Sequence, residues 1–232
     1  MSYERLNISI DDYNELKTKL HAELTKITNI FTRENYRQED DFFAAFCAGL
    51  SLAEISFGNG YYLRFKTSKT AHKGKNSPEH RFGCDFGIKI EWISTSDESL
   101  QKGIIGQAKN NTLKNSDTKD LSVQCAKMAR VTEHYIVILR DNSHQIPVVH
   151  IGDREKKYFH EDSIIFDDYL IDHVMACLHG ETNTDDINTM LKSGLDEFNR
   201  FLIEIETNLP KPKITLKPKR QNKPKNRGNA SN

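Results

Sequence analysis

The sequence predicts an α/β domain, and three observations predict it. Apolar residues recur at steps of three and four from Ile10 to Phe31, polar and apolar residues alternate through Asp85–Ile93, and His134–Arg140 is a nearly unbroken apolar run. The first pattern is that of an amphipathic helix, the second that of a half-buried strand, and the third that of a strand covered on both faces. At 232 residues the chain suits one domain with an ordinary core and an appendage.

The elements follow in order. Ile10, Tyr13, Leu16, Leu20, Leu24, Ile27 and Phe31 form the apolar stripe of the first helix, and Ser9 with Asp12 supplies its capping signal. A second helix is expected from near Gln38 to about Ala53, burying Phe42, Phe43, Phe46 and Leu50. Its first turn holds Glu39, Asp40 and Asp41, which complement the positive end of a helix without any catalysis. Gly58-Asn59-Gly60 breaks the chain before an aromatic strand, Tyr61–Lys66. The polar stretch Thr67–Arg81, with Lys69, Lys73, Lys75 and two histidines, reads as an exposed basic loop.

Strands are expected at Cys84–Ile93 and Lys102–Lys109, then a polar turn region, a helix from about Leu121 to Arg130, the apolar strand His134–Arg140 and a short strand at Ile146–Ile151. Helices are expected at Phe166–Leu178 and Thr184–Thr207, the latter on Ile187, Leu191, Leu195, Phe198, Leu202 and Ile205. After Pro210 the chain is so poor in apolar residues that no core can form, and a disordered tail is expected.

Charge is balanced overall, 33 basic against 33 acidic, yet unevenly spread. Thr207–Asn232 carries eight Lys or Arg and no acid, which leaves the preceding residues at 25 basic against 33 acidic. An acidic body with a basic tail suggests a polyanion such as nucleic acid as partner. Phosphate contact is accordingly assigned to Lys69, Lys73, Lys75 and Arg81 in the loop and to Lys217, Lys219 and Arg220 in the tail. The four cysteines are scattered without zinc-knuckle spacing, which suits buried thiols of a reducing cytoplasm. The histidines form no HExxH pattern, and no Walker A sequence is present, which argues against a zinc hydrolase and an ATPase. Met1–Arg5 lacks the apolar core of a signal peptide, and no run is long enough to span a bilayer, so a soluble cytoplasmic protein without membrane partners is expected.

The chemistry concentrates between Asp85 and Lys109. Two neighbouring strands would bring the Asp85 carboxylate, the Gln107 side-chain oxygen and the Lys109 ammonium to one end of a sheet. Asp85 would be the principal ligand of Mg²⁺ or Mn²⁺, and Gln107 a ligand or a positioner of water. Lys109 would orient the attacking water or bind the phosphate. A third oxygen ligand is needed. Glu39 or Asp40 on the second helix is favoured, Glu79 comes next, and Glu91 lies farther along the strand. Bland alternatives exist: Asp85 can satisfy a strand-end turn, and Gln107, Lys109 and Gln124 can be surface positions.

In this order of elements, with Gly83-Cys84-Asp85 on one strand and Gln107-Ala108-Lys109 on the next, residues 38–140 resemble the PD-(D/E)xK nuclease superfamily. Gln107 stands where most members have an acid, a variation similar to that of Mrr-type and anti-phage defence nucleases. In those a Gln on the following helix is matched here by Gln124. The resemblance implies a restriction-endonuclease-like αβββαβ core with a central mixed sheet flanked by helices; with C-terminal helices added, the expected domain covers residues 1–208, and composition marks 209–232 as a disordered basic tail. It also implies a Mg²⁺-dependent DNA endonuclease of bacterial defence or restriction type, in which Gln124 lines the site or holds the substrate backbone. A ribonuclease, or a catalytically inactive nucleic-acid-binding or interaction module on the same fold, are the alternatives. No motif for target selection is found in Asn142–Asn208, so a separate recognition or sensor protein and a second copy of the chain are candidate partners.

Overall fold

Ser9 caps the first long helix as its spacing predicts: its hydroxyl accepts the Asp12 amide at 3.0 Å. The computed structural model describes residues 1–32, 35–36, 39–69, 82–93, 100–110, 115–140, 143–183, 185, 191 and 201–213. Its helices are α1 (Ser2–Leu6), α2 (Ile10–Ile30), α3 (Glu39–Leu50), α4 (Asn115–Val131) and a short α5 (Phe166–Asp168) that widens into a π-helix at Tyr169–Met175. The strands are β1 (Glu54–Phe57), β2 (Tyr61–Lys69), β3 (Phe86–Trp92), β4 (Leu100–Asn110), β5 (Tyr135–Arg140), β6 (Val148–Asp153), β7 (Tyr158–Ile165) and β8 (Phe201–Thr207).

These strands form one mixed sheet in the order β1-β2-β8-β3-β4-β5-β6-β7. β8 runs antiparallel to β2 and parallel to β3, and β4 and β5 are parallel across α4. The remaining neighbours are antiparallel. Phe86, Ile88, Ile90 and Trp92 of β3 join α2, α3 and the π-helix in the larger core. On the other face Ile105, Tyr135 and Val137 pack against Leu121, Cys125, Met128 and Ala129 of α4. The protein is therefore α/β, a mixed sheet with helices on both faces.

The C-terminal region departs from expectation. In place of a helix reaching Thr207, residues Phe201–Thr207 form β8, an interior strand between β2 and β3. Burial alternates strictly, with Phe201, Ile203, Ile205 and Thr207 inside. Leu202 and Ile205 fit a helical step of three, but the β-branched residues at every second position fit a pleated, two-sided environment better. Most of residues 186–200 lie outside the described set, though Leu191 is buried with α4. Three shorter differences accompany this. The helix expected over Phe166–Leu178 is mostly π-helical and ends at Met175. β1 and β7 were not anticipated; β1 occupies only four residues and β7 is largely exposed, so neither carries a strong apolar pattern. Finally, the body runs past residue 208: Leu209 is buried in the core, and the Lys213 amide donates to the Arg5 carbonyl at 2.8 Å. Among the described residues no helix is long and apolar enough to cross a membrane.

Candidate functional site

One end of the sheet gathers several chain segments. β3 begins there and β4 ends there, because the two are antiparallel. β5, parallel to β4, ends there as well, and β8, parallel to β3, begins there. β2 pairs its last residue, Lys69, with Phe201, the first of β8. The chain thus leaves β2 at Lys69 and is next described at Phe82, three residues before Asp85.

Asp85 sits where the chain turns into β3. Its neighbours diverge: Cys84 is buried on the α4 side and Phe86 on the α3 side. The Asp85 amide donates to the Gly106 carbonyl at 2.8 Å, one step beyond the Phe86–Gly106 pair, so Asp85 lies opposite Gln107. Its own carbonyl accepts the Phe201 amide at 3.2 Å, which joins β3, β4 and β8 at one residue. The carboxylate is held: Oδ2 accepts the Ala108 amide at 3.2 Å. Asp85 is only 9% exposed, so this is a buried acid tied to the strand that carries the rest of the motif.

Gln107 shows no solvent exposure. It has the strand parity of Ile105, which places it on the α4 face between Asp85 and Val137. Its Nε2 donates to the Gly83 carbonyl at 2.6 Å, while its Oε1 is buried without a hydrogen-bond partner among the described residues. Gly83 makes this geometry possible. Its φ is +75°, in the left-handed region, and a Cβ there would lie 2.4 Å from the Gln124 carbonyl oxygen of α4. Only glycine lets the loop slip between β4 and α4 while turning its carbonyl to Gln107.

Lys109 is on the same face as Gln107 and is partly buried. Its charge is felt at Cys125 on α4, whose thiol burial has pushed up to about 12 against that opposing pull. The ammonium therefore lies on the α4 side of the sheet. Gln124 is half-buried and neighbours Gly83 through its backbone.

The two strands thus bring Asp85 and Gln107 together, with Lys109 beyond them and Gln124 on the covering helix. The favoured third ligands are placed less directly. α3 packs on the opposite face of the sheet, through Phe43 against Phe86 at 4.9 Å and Phe201 at 5.4 Å between ring centroids. Both partners mark the end where Asp85 lies, and Arg140, at the end of β5, covers the Phe42 ring at 3.8 Å. The first turn of α3, with Glu39 and Asp40, therefore starts at the site's end of the sheet but behind it. The side chains of Glu39, Asp40 and Lys69, and the whole of Lys73, Lys75, Glu79, Arg81, Lys217, Lys219 and Arg220, lie outside the described residues. Glu91 is excluded by position: it accepts from Lys89 at 3.1 Å and Gln101 at 3.0 Å, six residues along β3.

The donor set of Asp85 and Gln107 is all oxygen, one charged and one neutral. Such a set suits a hard cation such as Mg²⁺, which keeps several waters and takes few protein ligands. The orphaned Gln107 Oε1 fits that cation, since a buried acceptor left without a partner calls for an ion or water. Among the described residues no group of three or more His, Cys, Asp or Glu could hold a metal, so a second carboxylate would have to come from elsewhere in the chain. The part played by Gly83, which accepts the Gln107 amide and admits no Cβ, was missed from the sequence; a glycine two residues before Asp85 was the available signal. No protein-family model matches this chain, and neither a curated protein nor a solved structure was found to be similar to it.

Proposed function

We propose that the chain is a Mg²⁺-dependent nuclease on a restriction-endonuclease-like fold, cutting DNA phosphodiester bonds as a defence or restriction-type effector. The observation that carries this reading is the buried Gln107 side chain. It is fixed by its bond to Gly83, opposite Asp85, and its carbonyl oxygen has no partner among the described residues.

Asp85 and Gln107 would hold the cation, with Glu39, Asp40 or Glu79 as sources of a further carboxylate. When bound, the cation would neutralise phosphoryl charge and lower the pKa of water. The protein's own part is positioning. The Ala108 amide holds one Asp85 oxygen, and the Gly83 carbonyl fixes the plane of the Gln107 amide. Lys109 on the same face supplies a cation to orient water or to bind a phosphate oxygen. α3 and α4 both begin at this end of the sheet, and the positive ends of helices favour a polyanion there.

A supercoiled plasmid incubated with the purified chain and Mg²⁺, Mn²⁺ or EDTA tests the reading. Metal-dependent nicking is expected, and DNA left intact under all three conditions would refute it. A second reading, a nucleic-acid-binding module without catalysis, is favoured by the use of Asp85 Oδ2 to hold a backbone amide. It is the outcome if DNA is retarded but uncut. RNA run beside DNA separates a ribonuclease from a deoxyribonuclease.

A further inference from the structure

A second cluster of reactive side chains lies toward the other end of β4, away from Asp85. Lys102 of β4 is 2% exposed, although lysine is almost never fully buried without a partner. Its Nζ donates to the His179 carbonyl at 2.6 Å. Cys177, two residues before His179, and this nitrogen act on each other by charge and as hydrogen-bonding partners. Cys177 is also unusual in its backbone. It follows the π-helix, and its φ is +57°, a conformation that L-residues other than Asn and Asp rarely adopt. Two features of the fold hold it there: its amide donates to the Val174 carbonyl, and the Gly103 and Glu181 backbones bond reciprocally at 2.9 Å. A Cβ on Gly180 would meet the Lys102 side chain at 3.2 Å, so the chain after Cys177 lies directly over the lysine.

We propose that Cys177 and Lys102 form a redox-reversible cross-link, a sulfenamide between Sγ and Nζ, when the protein meets a peroxide. Burial lowers the pKa of Lys102 and so makes its uncharged amine, the form whose lone pair acts as base and nucleophile, easier to reach. Lys102 takes the Cys177 proton, and the thiolate attacks hydrogen peroxide to give the sulfenic acid and hydroxide. The hydroxide removes the proton from the ammonium, yielding water and restoring the amine. The amine nitrogen then attacks the sulfenic sulfur; the S–O bond breaks, one nitrogen proton leaves with the hydroxyl as a second water, and an S–N bond remains. Condensation of a sulfenic acid with a nearby nitrogen is established chemistry for cysteine. Two equivalents of a thiol reverse it, returning the thiol and the amine and leaving a disulfide of the reductant. Cys177 is partly exposed, so peroxide can reach the sulfur, while Lys102, buried behind it, is shielded from competing solvent. The bond would tie β4 to the segment that follows the π-helix. This inference stands apart from the nuclease reading.

Peptide mass spectrometry of the intact folded protein after graded hydrogen peroxide tests it. The expected product is a peptide pair joining Lys102 to Cys177, lighter by two hydrogens than the separate peptides, and lost on treatment with dithiothreitol. Cys177→Ser should abolish it. Lys102→Met should also abolish it and let Cys177 pass to sulfinic acid; if that variant does not fold, the first two measurements decide alone. A joined pair that keeps an extra oxygen would overturn the sulfenamide. So would Cys177 that stays a thiol, or that becomes sulfinic acid in the parent chain without any cross-link.

Discussion

At the scale of single residues, Gln107 is the most informative position. Its amide does what a carboxylate cannot: the nitrogen donates to Gly83, while the oxygen stays buried and unpaired among the described residues. Gln107→Glu would set a buried negative charge against the Gly83 carbonyl, at a cost of about 1–3 kcal/mol or more. The variant should melt at a lower temperature than the parent in EDTA and regain part of the loss with Mg²⁺ or Mn²⁺. A melting temperature indifferent to metal in both proteins would remove the cation from this site. Lys109→Ala makes a different demand. On the proposed nuclease reading, loss of the Lys109 cation should lower the cleavage rate by about 10²–10³-fold. DNA affinity, measured by retardation in EDTA, should be nearly unchanged, since one phosphate contact among many is lost. Cutting at the parental rate would leave Lys109 without a role in the chemistry. That Asp85 and Gln107 meet is legible in the sequence, because their spacing along two adjacent strands is local. A third ligand for the proposed cation is not, because whether Glu39 or Asp40 reaches round the sheet depends on how α3 sits on its far face.

At the scale of elements, legibility follows the strength of the periodic signal. α2, α3, β3, β4 and β5 are readable because each carries a long stripe or an apolar run that only one element satisfies. β8 is not, since the apolar residues from Leu195 to Ile205 also fit a helix, and only its pairing to β2 and β3 selects the strand. Its interior place makes a sharp prediction. Ile203, fully buried, should cost about 2–5 kcal/mol on truncation to alanine. Glu204, half-exposed beside it, should cost under about 0.5 kcal/mol. Urea denaturation of the two variants checks this, and equal losses would argue against the alternation of β8. The segment after the π-helix predicts a pH effect. His179 is 7% exposed, with its Nδ1 2.6 Å from the Tyr169 hydroxyl. Burial, followed by the charges of His134, Lys102 and His173, holds it well below its ordinary value of 6.5. The folded protein therefore keeps this imidazole neutral while the unfolded chain protonates it near 6.5. Its contribution to stability is complete above that value and is lost as pH falls below it, by up to about 1.4 kcal/mol per pH unit for one proton. Denaturation midpoints in urea should fall from pH 7.5 to pH 5.5, and His179→Gln should flatten that dependence. A slope unchanged by the substitution would assign the acid sensitivity to other groups.

At the scale of the whole molecule, charge and topology bear on the same question. The body before Thr207 is acidic, 25 basic against 33 acidic residues, so any affinity for DNA has to come from localised cations. β2 ends with Lys69 at the end of the sheet where Asp85 lies, the sequence that follows is rich in cations, and the C-terminal residues supply a second concentration. The described residues move the boundary of the body past the one expected from composition. Leu209 is buried and Lys213 is tied to Arg5, so removing residues from Pro210 onward would damage the body as well as discharge it. Deleting residues 214–232 instead takes away six of the eight C-terminal cations and leaves that tie intact. Each cation that contacts a phosphate releases counterions and adds about 0.9 to the slope of log affinity against log salt on duplex DNA. The shortened protein should therefore melt at the parental temperature, bind a nonspecific duplex more weakly at low salt, and show a salt slope shallower by up to about five. Fluorescence anisotropy over a series of salt concentrations gives the slope. Should it match the parent's while affinity is also unchanged, the tail touches no DNA, and the phosphate contacts must be sought in the loop between β2 and β3 alone.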